Sequence, residues 1–220
     1  MIAMTMSDGR PVGVYHVTPA GARKGGLVVI QEIFGITGHI KDVCDFYSSA
    51  GYEVMAPALF DREAPGFCVE GDAEGMKKGV ELAYGKHPFD LSVADAMSCA
   101  HALKRHGPVF AVGYCYGGSV TWALACRSDE LAAASSYYGK LAPDMAGEKP
   151  QCPTICHFGR TDASIPLDAV ERMRKKRPET TIYLYDAGHG FNSPRPTHHN
   201  AEAAALARVR TLDFFRANGG

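Results

Sequence analysis

The residue with the clearest chemistry is a cysteine between glycines. Cys115 is the third residue of G-Y-C-Y-G-G, residues 113–118, with an apolar run before it and a helical pattern after it. Small residues two places before and two places after the cysteine let a strand and a helix approach closely around a sharp turn. The N-terminus of the helix that follows favours a thiolate at that turn. The pattern therefore predicts that Cys115 is a nucleophile.

An aspartate and a histidine each follow a later apolar run. Asp162 comes after the run at 153–158, and His189 lies between two glycines after the run at 180–185. A carboxylate can hold an imidazole in one tautomer, and the imidazole can exchange a proton with a nucleophile. The chain order of nucleophile, acid and histidine suits a Cys–His–Asp triad. We therefore predict that Asp162 and His189 complete a catalytic site with Cys115.

Two other aspartates compete for the role of the acid. Asp186 is only three residues from His189 and is expected to orient its own loop, whereas Asp168 is expected in the first turn of a helix. The remaining histidines, including His198 and His199, lack the spacing of metal ligands. No metal site is predicted.

The segment Q-E-I-F-G, residues 31–35, directly follows a wholly apolar run. Hydrolases with a nucleophile turn place a second oxyanion-binding N–H at this point, so Ile33 and Tyr116 are the predicted backbone donors. Glu32 would be costly to desolvate at the mouth of such a site unless a partner holds it or it takes part in the chemistry. The alternative is a solvated glutamate on an exposed loop.

These residues need a scaffold in which strands and helices alternate. Such alternation specifies a mostly parallel sheet with helices on both faces and ligands beyond the carboxyl ends of the strands. We predict one domain over residues 1–220. Strands are predicted at 12–17, 27–30, 52–56, 109–113, 131–138, 153–158 and 180–185, and helices at 40–50, 73–84, 91–105, 119–126, 167–177 and 200–217.

Composition restricts the partners. The chain has 23 basic and 24 acidic residues among 220, which argues against nucleic acid or an anionic membrane as a partner. The first ten residues do not resemble a secretory signal, and no apolar run reaches the length of a membrane helix. The seven cysteines show no metal-type pair and are expected to be reduced thiols. A cytoplasmic location is therefore expected.

The four ordered segments Q-E-I-F-G, G-Y-C-Y-G-G, G-R-T-D and A-G-H-G-F resemble those of the dienelactone hydrolase (carboxymethylenebutenolidase) family, and the resemblance covers nearly the whole chain. It implies an α/β-hydrolase fold, no cofactor, and a triad carried over to Cys115, His189 and Asp162. It also implies that Glu32 contacts the resting cysteine and helps to take its proton. Enzymes of this family open a lactone that bears a carboxylate, which arginines hold.

The arginines are where the chain departs from the family pattern. Dienelactone-specific enzymes carry an arginine four residues after the histidine, and this chain has Ser193 there. Arg195, two residues further on, is the second candidate for this substrate contact, but the prolines on either side restrict its direction. Arg62, after the strand predicted at 52–56, is the favoured contact for a substrate anion, with a solvated loop arginine as the alternative.

The predicted function is hydrolysis of an activated ester or lactone through an acyl-cysteine intermediate. A broad carboxylesterase or thioesterase is the nearest alternative. A thiol redox protein is disfavoured because no second cysteine has a recognisable resolving position, and a non-catalytic binding module should lack part of the triad. The expected partner is a small-molecule ester or lactone, and the chain is expected to be a monomer or a weak homo-oligomer.

Overall fold

The computed structural model describes residues 1–195 and 197–220 and contains one eight-stranded sheet in the order β1-β2-β4-β3-β5-β6-β7-β8. The strands are β1 (Ile2–Thr5), β2 (Pro11–Val17), β3 (Gly25–Ile30), β4 (Tyr52–Pro57), β5 (Val109–Tyr114), β6 (Ala133–Tyr137), β7 (Thr154–Gly159) and β8 (Thr181–Tyr185). The helices are α1 (Gly38–Ser49), α2 (Ala73–Glu81), α3 (Phe89–Lys104), α4 (Tyr116–Arg127), α5 (Leu167–Lys176) and α6 (Ala201–Ala217).

The sheet is parallel from β4 across to β8, and β2 pairs antiparallel with both β1 and β4 at one edge. The carboxyl ends of the parallel strands therefore meet at one edge of the sheet, where the loops after β3, β5, β7 and β8 lie together. This arrangement confirms the predicted fold class.

Both faces of the sheet are covered by helices. Every residue of β3 and β5 is buried, because alternate side chains enter separate cores on the two faces. Leu27 and Val29 pack in the core on the side of α1, α5 and α6, whereas Val28 and Ile30 pack in the core on the side of α3 and α4. The central strands are therefore held firmly on both sides, which makes their carboxyl ends a rigid support for a site.

Three details differ from the expected elements. The edge strand β1 was not predicted, because four mostly exposed residues carry little apolar pattern. Helix α4 begins at Tyr116, three residues before the predicted start, since two of those residues are glycines that propensity disfavours. The helix predicted at 73–84 ends as α2 at Glu81 and continues as one π-helical turn, Leu82–Lys86.

Among residues 1–195 and 197–220, no helix is both long and apolar enough to cross a membrane. Within the same ranges, no cluster of three or more His, Cys, Asp or Glu side chains is arranged to hold a metal ion.

Candidate active site

Cys115 lies at the turn between β5 and α4 with φ 56° and ψ −113°. This is a backbone conformation that non-glycine residues rarely adopt, and its cost is tolerated where the surrounding structure enforces it. A Cβ on Gly113 would collide with the carbonyl oxygen of Gly117, and one on Gly117 would collide with that of Ile30. The two glycines are therefore required for the close approach of strand and helix that holds the thiol in this position.

The imidazole of His189 lies between the thiol and a carboxylate. Its Nε2 atom is 3.0 Å from the Sγ atom of Cys115, and its Nδ1 atom is 2.7 Å from Oδ2 of Asp162. An ionised carboxylate only accepts hydrogen bonds, so Nδ1 carries the hydrogen and donates it to Asp162. This leaves Nε2 facing the sulfur, in position to exchange a proton with it.

The surroundings of His189 favour its protonated form. Burial of the ring lowers its pKa, but the hydrogen bonds and negative charges of Asp162 and Cys115 outweigh burial and raise the pKa to about 10. An imidazolium beside the sulfur stabilises a thiolate by direct charge interaction. The arrangement can therefore supply a reactive thiolate near neutral pH.

Asp162 is the only one of the three candidate aspartates that contacts the imidazole. Its side chain is fully buried, and its second oxygen, Oδ1, accepts the backbone N–H of Ser164. Asp186 is exposed and pairs with Arg160, and Asp168 is exposed in the first turn of α5. The two alternative aspartates lie outside the site.

Glu32 is buried, and its Oε1 atom accepts a hydrogen bond from Nη2 of Arg195 at 3.1 Å. It is not a solvated loop glutamate. Burial raises its pKa, and the positive charges of Arg195 and His189 act in the opposite direction. The implied contact between Glu32 and the resting cysteine is wrong for this structure, because Glu32 pairs with Arg195 while Cys115 pairs with His189.

Arg195 enters the site between Glu32 and an aromatic ring. Its guanidinium carbon lies 4.4 Å from the centre of the Phe34 ring, and its Nε atom donates to the hydroxyl of Ser193 at 3.0 Å. The remaining nitrogen, Nη1, is buried without a hydrogen-bond partner among the described residues. Arg195 therefore lines a cavity of about 210 Å³ beside Glu32 with a donor still free. Pro196, the second flanking proline, lies outside the described residues.

The prediction that Arg62 contacts a substrate anion is wrong. Its side chain is 4% exposed, and its Nε, Nη1 and Nη2 atoms all donate to the carboxylates of Asp8 and Asp95. The two carboxylates neutralise the guanidinium and occupy four of its five N–H donors, so Arg62 is not available as the counter-ion of a substrate anion. Arg62 ties the loop between β1 and β2 and helix α3 to the segment after β4.

In the part of the chain that the structure describes, the N–H groups of both expected oxyanion donors lack a hydrogen-bond acceptor. Tyr116 is the first residue of α4, so its N–H lacks an intrahelical acceptor. Ile33 makes no backbone hydrogen bond through its N–H to the described residues. The loop that carries Ile33 is held by the Gln31 side chain, whose oxygen accepts the N–H of Leu59.

Sequence reasoning missed an aromatic residue beside the imidazole. Tyr138 is fully buried with φ 38°, and its ring centre lies 5.2 Å from that of His189. Its hydroxyl has no hydrogen-bond partner among the described residues. The signal that could have found it is its position just after β6, the strand beside β5. A second missed residue is His39, which lines the cavity beside Glu32.

A parallel sheet with helices on both faces, and a nucleophile-type turn between a central strand and a helix, define an α/β-hydrolase fold. The model of the dienelactone hydrolase family matches residues 12–219. The chain belongs to this family and is a hydrolase that acts on an ester or lactone.

Individual relatives agree with this membership. A protein of Escherichia coli K12 named "Putative carboxymethylenebutenolidase" is 33% identical over 240 residues, covering 97% of this chain and 85% of that protein. The carboxymethylenebutenolidase of Pseudomonas putida is 28% identical, covering 97% and 94%. A crystal structure named "Putative Dienelactone Hydrolase" from Klebsiella pneumoniae superposes with a TM-score of 0.86 at 29% identity, covering 97% of each chain. A dienelactone hydrolase-like promiscuous phosphotriesterase from metagenomic libraries shares the fold, with a TM-score of 0.82 at 20% identity, covering 100% of this chain and 98% of that one.

Proposed function

We propose that this hydrolase cleaves an activated ester or lactone through a covalent acyl-cysteine intermediate on Cys115. The observation that carries the proposal is the line of contacts from sulfur to imidazole to carboxylate, at 3.0 and 2.7 Å. Its support from relatives is the carboxymethylenebutenolidase named in Pseudomonas putida. The butenolide in that enzyme's name is an unsaturated lactone, and when such a ring opens its oxygen leaves as a stabilised enolate.

The proposed reaction has two stages. The sulfur of Cys115 attacks the carbonyl carbon, and the oxyanion forms against the N–H groups of Ile33 and Tyr116. The carbon–oxygen bond then breaks, and the leaving oxygen takes the proton from Nε2 of His189. In the second stage the neutral imidazole removes a proton from water, and the resulting hydroxide attacks the thioester. Breaking the carbon–sulfur bond regenerates the thiolate beside a protonated imidazole.

A thiolate is a better leaving group than an alkoxide, so the tetrahedral intermediate of a plain alkyl ester tends to return to starting material. An enolate or phenolate competes with the sulfur more successfully. This chemistry supports activated esters and enol lactones over alkyl esters and amides as substrates.

Arg195 is the proposed contact for a carboxylate on the substrate. It lines the cavity beside Glu32 with one nitrogen unpartnered, and it is the arginine that sequence reasoning ranked second. A carboxylate that binds Arg195 competes with Glu32 for the same guanidinium. Because Glu32 is buried, loss of its counter-ion makes proton uptake favourable. We propose that Glu32 then accepts the proton that the thiol and imidazole share, which frees the thiolate, and returns it to Nε2 of His189 before the leaving oxygen departs.

Replacing Arg195 with glutamine should separate substrates by charge. We expect kcat/KM for an enol lactone that bears a carboxylate to fall about 10- to 100-fold, because a hydrogen bond to a charged group usually contributes that much to binding. The kcat/KM of the corresponding methyl ester should change little. Steady-state rates on matched carboxylate and methyl ester substrates measure this. Arg62→Gln is a poor control because Arg62 holds the fold together; Arg160→Gln, an exposed pair with Asp186, is suitable. Equal losses on both substrates would contradict the carboxylate contact and favour a broad carboxylesterase.

Replacing Glu32 with glutamine should lower turnover more than binding. The amide keeps a hydrogen-bonding group near Arg195 but cannot accept a proton, so kcat for carboxylate substrates should fall about 10- to 100-fold. The pH dependence of alkylation at Cys115 should also change, because one member of a coupled titration is removed. Glu74→Gln, on the exposed first turn of α2, is the control. Unchanged turnover and an unchanged alkylation profile would make Glu32 a bystander.

A further inference from the structure

A second cavity of about 210 Å³ adjoins the one that contains Glu32 and Arg195, and the two cavities share His39 and Pro194 as wall residues. It lies between α1, the loop after β8 and α6. We infer that this cavity is a separate subsite for a planar group that carries a carboxylate. The inference rests on the proposed function and goes beyond it, because it adds a second carboxylate contact beside the Glu32 cavity, in which Arg195 is proposed to hold the first.

The first observation is a buried donor with nothing to bind. Asn192 is 4% exposed, lines the cavity, and its amide nitrogen has no hydrogen-bond partner among the described residues. A buried amide without a partner costs on the order of 1–3 kcal/mol, so such groups are usually satisfied by a ligand or water. Nε2 of His39, another residue of the same wall, is likewise buried without a partner among the described residues. Two residues that line the cavity therefore each carry a buried polar atom whose hydrogen-bonding capacity is unused.

The second observation is an arginine that no carboxylate neutralises. Arg208, on α6, lines the cavity and forms no ion pair or hydrogen bond with the residues that the structure describes. Its guanidinium carbon lies 4.6 Å from the centre of the Phe46 ring, which holds the side chain but leaves its donors free. Burial, together with the charges of Arg195 and Arg208, lowers the pKa of His39 to about 4, so the imidazole between the two guanidinium groups is neutral. A carboxylate satisfies the guanidinium and the amide together.

The third observation is the shape of the walls. Phe46, Tyr47 and Tyr114 supply aromatic surface around the polar groups. Flat apolar walls with a few convergent donors are suited to a conjugated or aromatic group that bears an acceptor at one end. Asp42 is the acidic residue of the lining, and it lies exposed on α1, where solvent screens its charge. Asp42 should weaken anion binding without preventing it.

Benzoate tests the subsite without any hydrolysis, because it has no ester bond. We expect isothermal titration calorimetry on the wild-type protein to detect benzoate binding, and Arg208→Gln to weaken it at least tenfold. Affinity for benzamide should not change in that variant, and Asp42→Asn should tighten benzoate binding. Arg208→Lys should retain part of the affinity. Arg210→Gln is the matched control: Arg210 lies two residues away on α6, with its guanidinium over Tyr183.

Two results would overturn the subsite. One is benzoate affinity that falls in Arg195→Gln and is unchanged in Arg208→Gln, which would place the carboxylate in the Glu32 cavity. The other is no benzoate binding at millimolar concentration in the wild-type protein and in Asp42→Asn. Because the readout is binding, failure of the subsite is distinguishable from failure of the proposed hydrolysis, which depends on Cys115.

Discussion

Alanine at position 115 is expected to reduce hydrolysis of an activated ester by at least about 10⁴-fold. The thiol is the atom that would form the covalent intermediate, and loss of a nucleophile in triad enzymes leaves only binding and oxyanion stabilisation. The variant should fold normally, because alanine is smaller than cysteine and the side chain is only partly buried. Single-turnover and steady-state rates on an aryl acetate measure the loss.

Mapping the site of a covalent adduct tests the same nucleophile without relying on hydrolysis rates. Iodoacetamide should inactivate the wild-type protein with modification at Cys115. Cys68 is the natural control, since it is exposed while the other five cysteines are buried. Cys68→Ala should keep full activity and the same rate of inactivation. A Cys115→Ala protein that hydrolyses esters at the wild-type rate would eliminate the acyl-cysteine mechanism. Cys115→Ser should be much slower than wild type, because the imidazole is placed to stabilise a thiolate.

Glutamine at position 189 is expected to lower kcat by about 10²- to 10⁴-fold, the usual contribution of a general acid–base group. The sign of the pH effect follows from the raised pKa. His189 stays protonated up to about pH 10, so it stabilises a thiolate through neutral pH. Alkylation of wild-type Cys115 should therefore remain fast at pH 7. In His189→Gln the rate should be low at pH 7 and rise as the pH approaches the ordinary thiol range, about 8.5.

The control for this pH profile is His101→Gln, an exposed histidine on α3 that pairs with Glu130. It should leave hydrolysis and alkylation unchanged. If His189→Gln alkylates with the wild-type pH profile, the imidazole does not set the state of the thiol. The 3.0 Å contact between the imidazole and the sulfur would then contribute only to packing of the site and not to its chemistry.

The sequence was most informative where function is tied to strand ends. Cys115, Asp162 and His189 each follow a strand of the parallel part of the sheet, and parallel pairing brings those strand ends to one edge. Their proximity therefore followed from the order of the elements. The short edge strand β1 could not be found this way, because its residues are mostly exposed and show no clear alternation.

The contacts of the arginines were harder to predict from the sequence, because a long side chain pairs with whichever carboxylate the fold brings near. Arg62 was favoured over Arg195, yet Asp8 and Asp95 come from segments far from it in sequence and occupy its donors. Arg195 instead reaches Glu32, 163 residues away. Neither pairing has a local pattern, so the choice between the two arginines needed the tertiary structure. The same holds for Tyr138, whose contact with His189 depends on the packing of two loops.

The backbone at the nucleophile has a consequence for how this enzyme could be improved. Cys115 occupies a left-handed conformation that glycine adopts freely, at a cost of order 1–3 kcal/mol for any other residue. The fold would accordingly be more stable with glycine at the one position where a side chain is indispensable for the chemistry. Selection for thermal stability alone would therefore drive this chain toward an inactive protein. Directed evolution for robustness has to hold position 115 fixed and seek its gains on the surface helices.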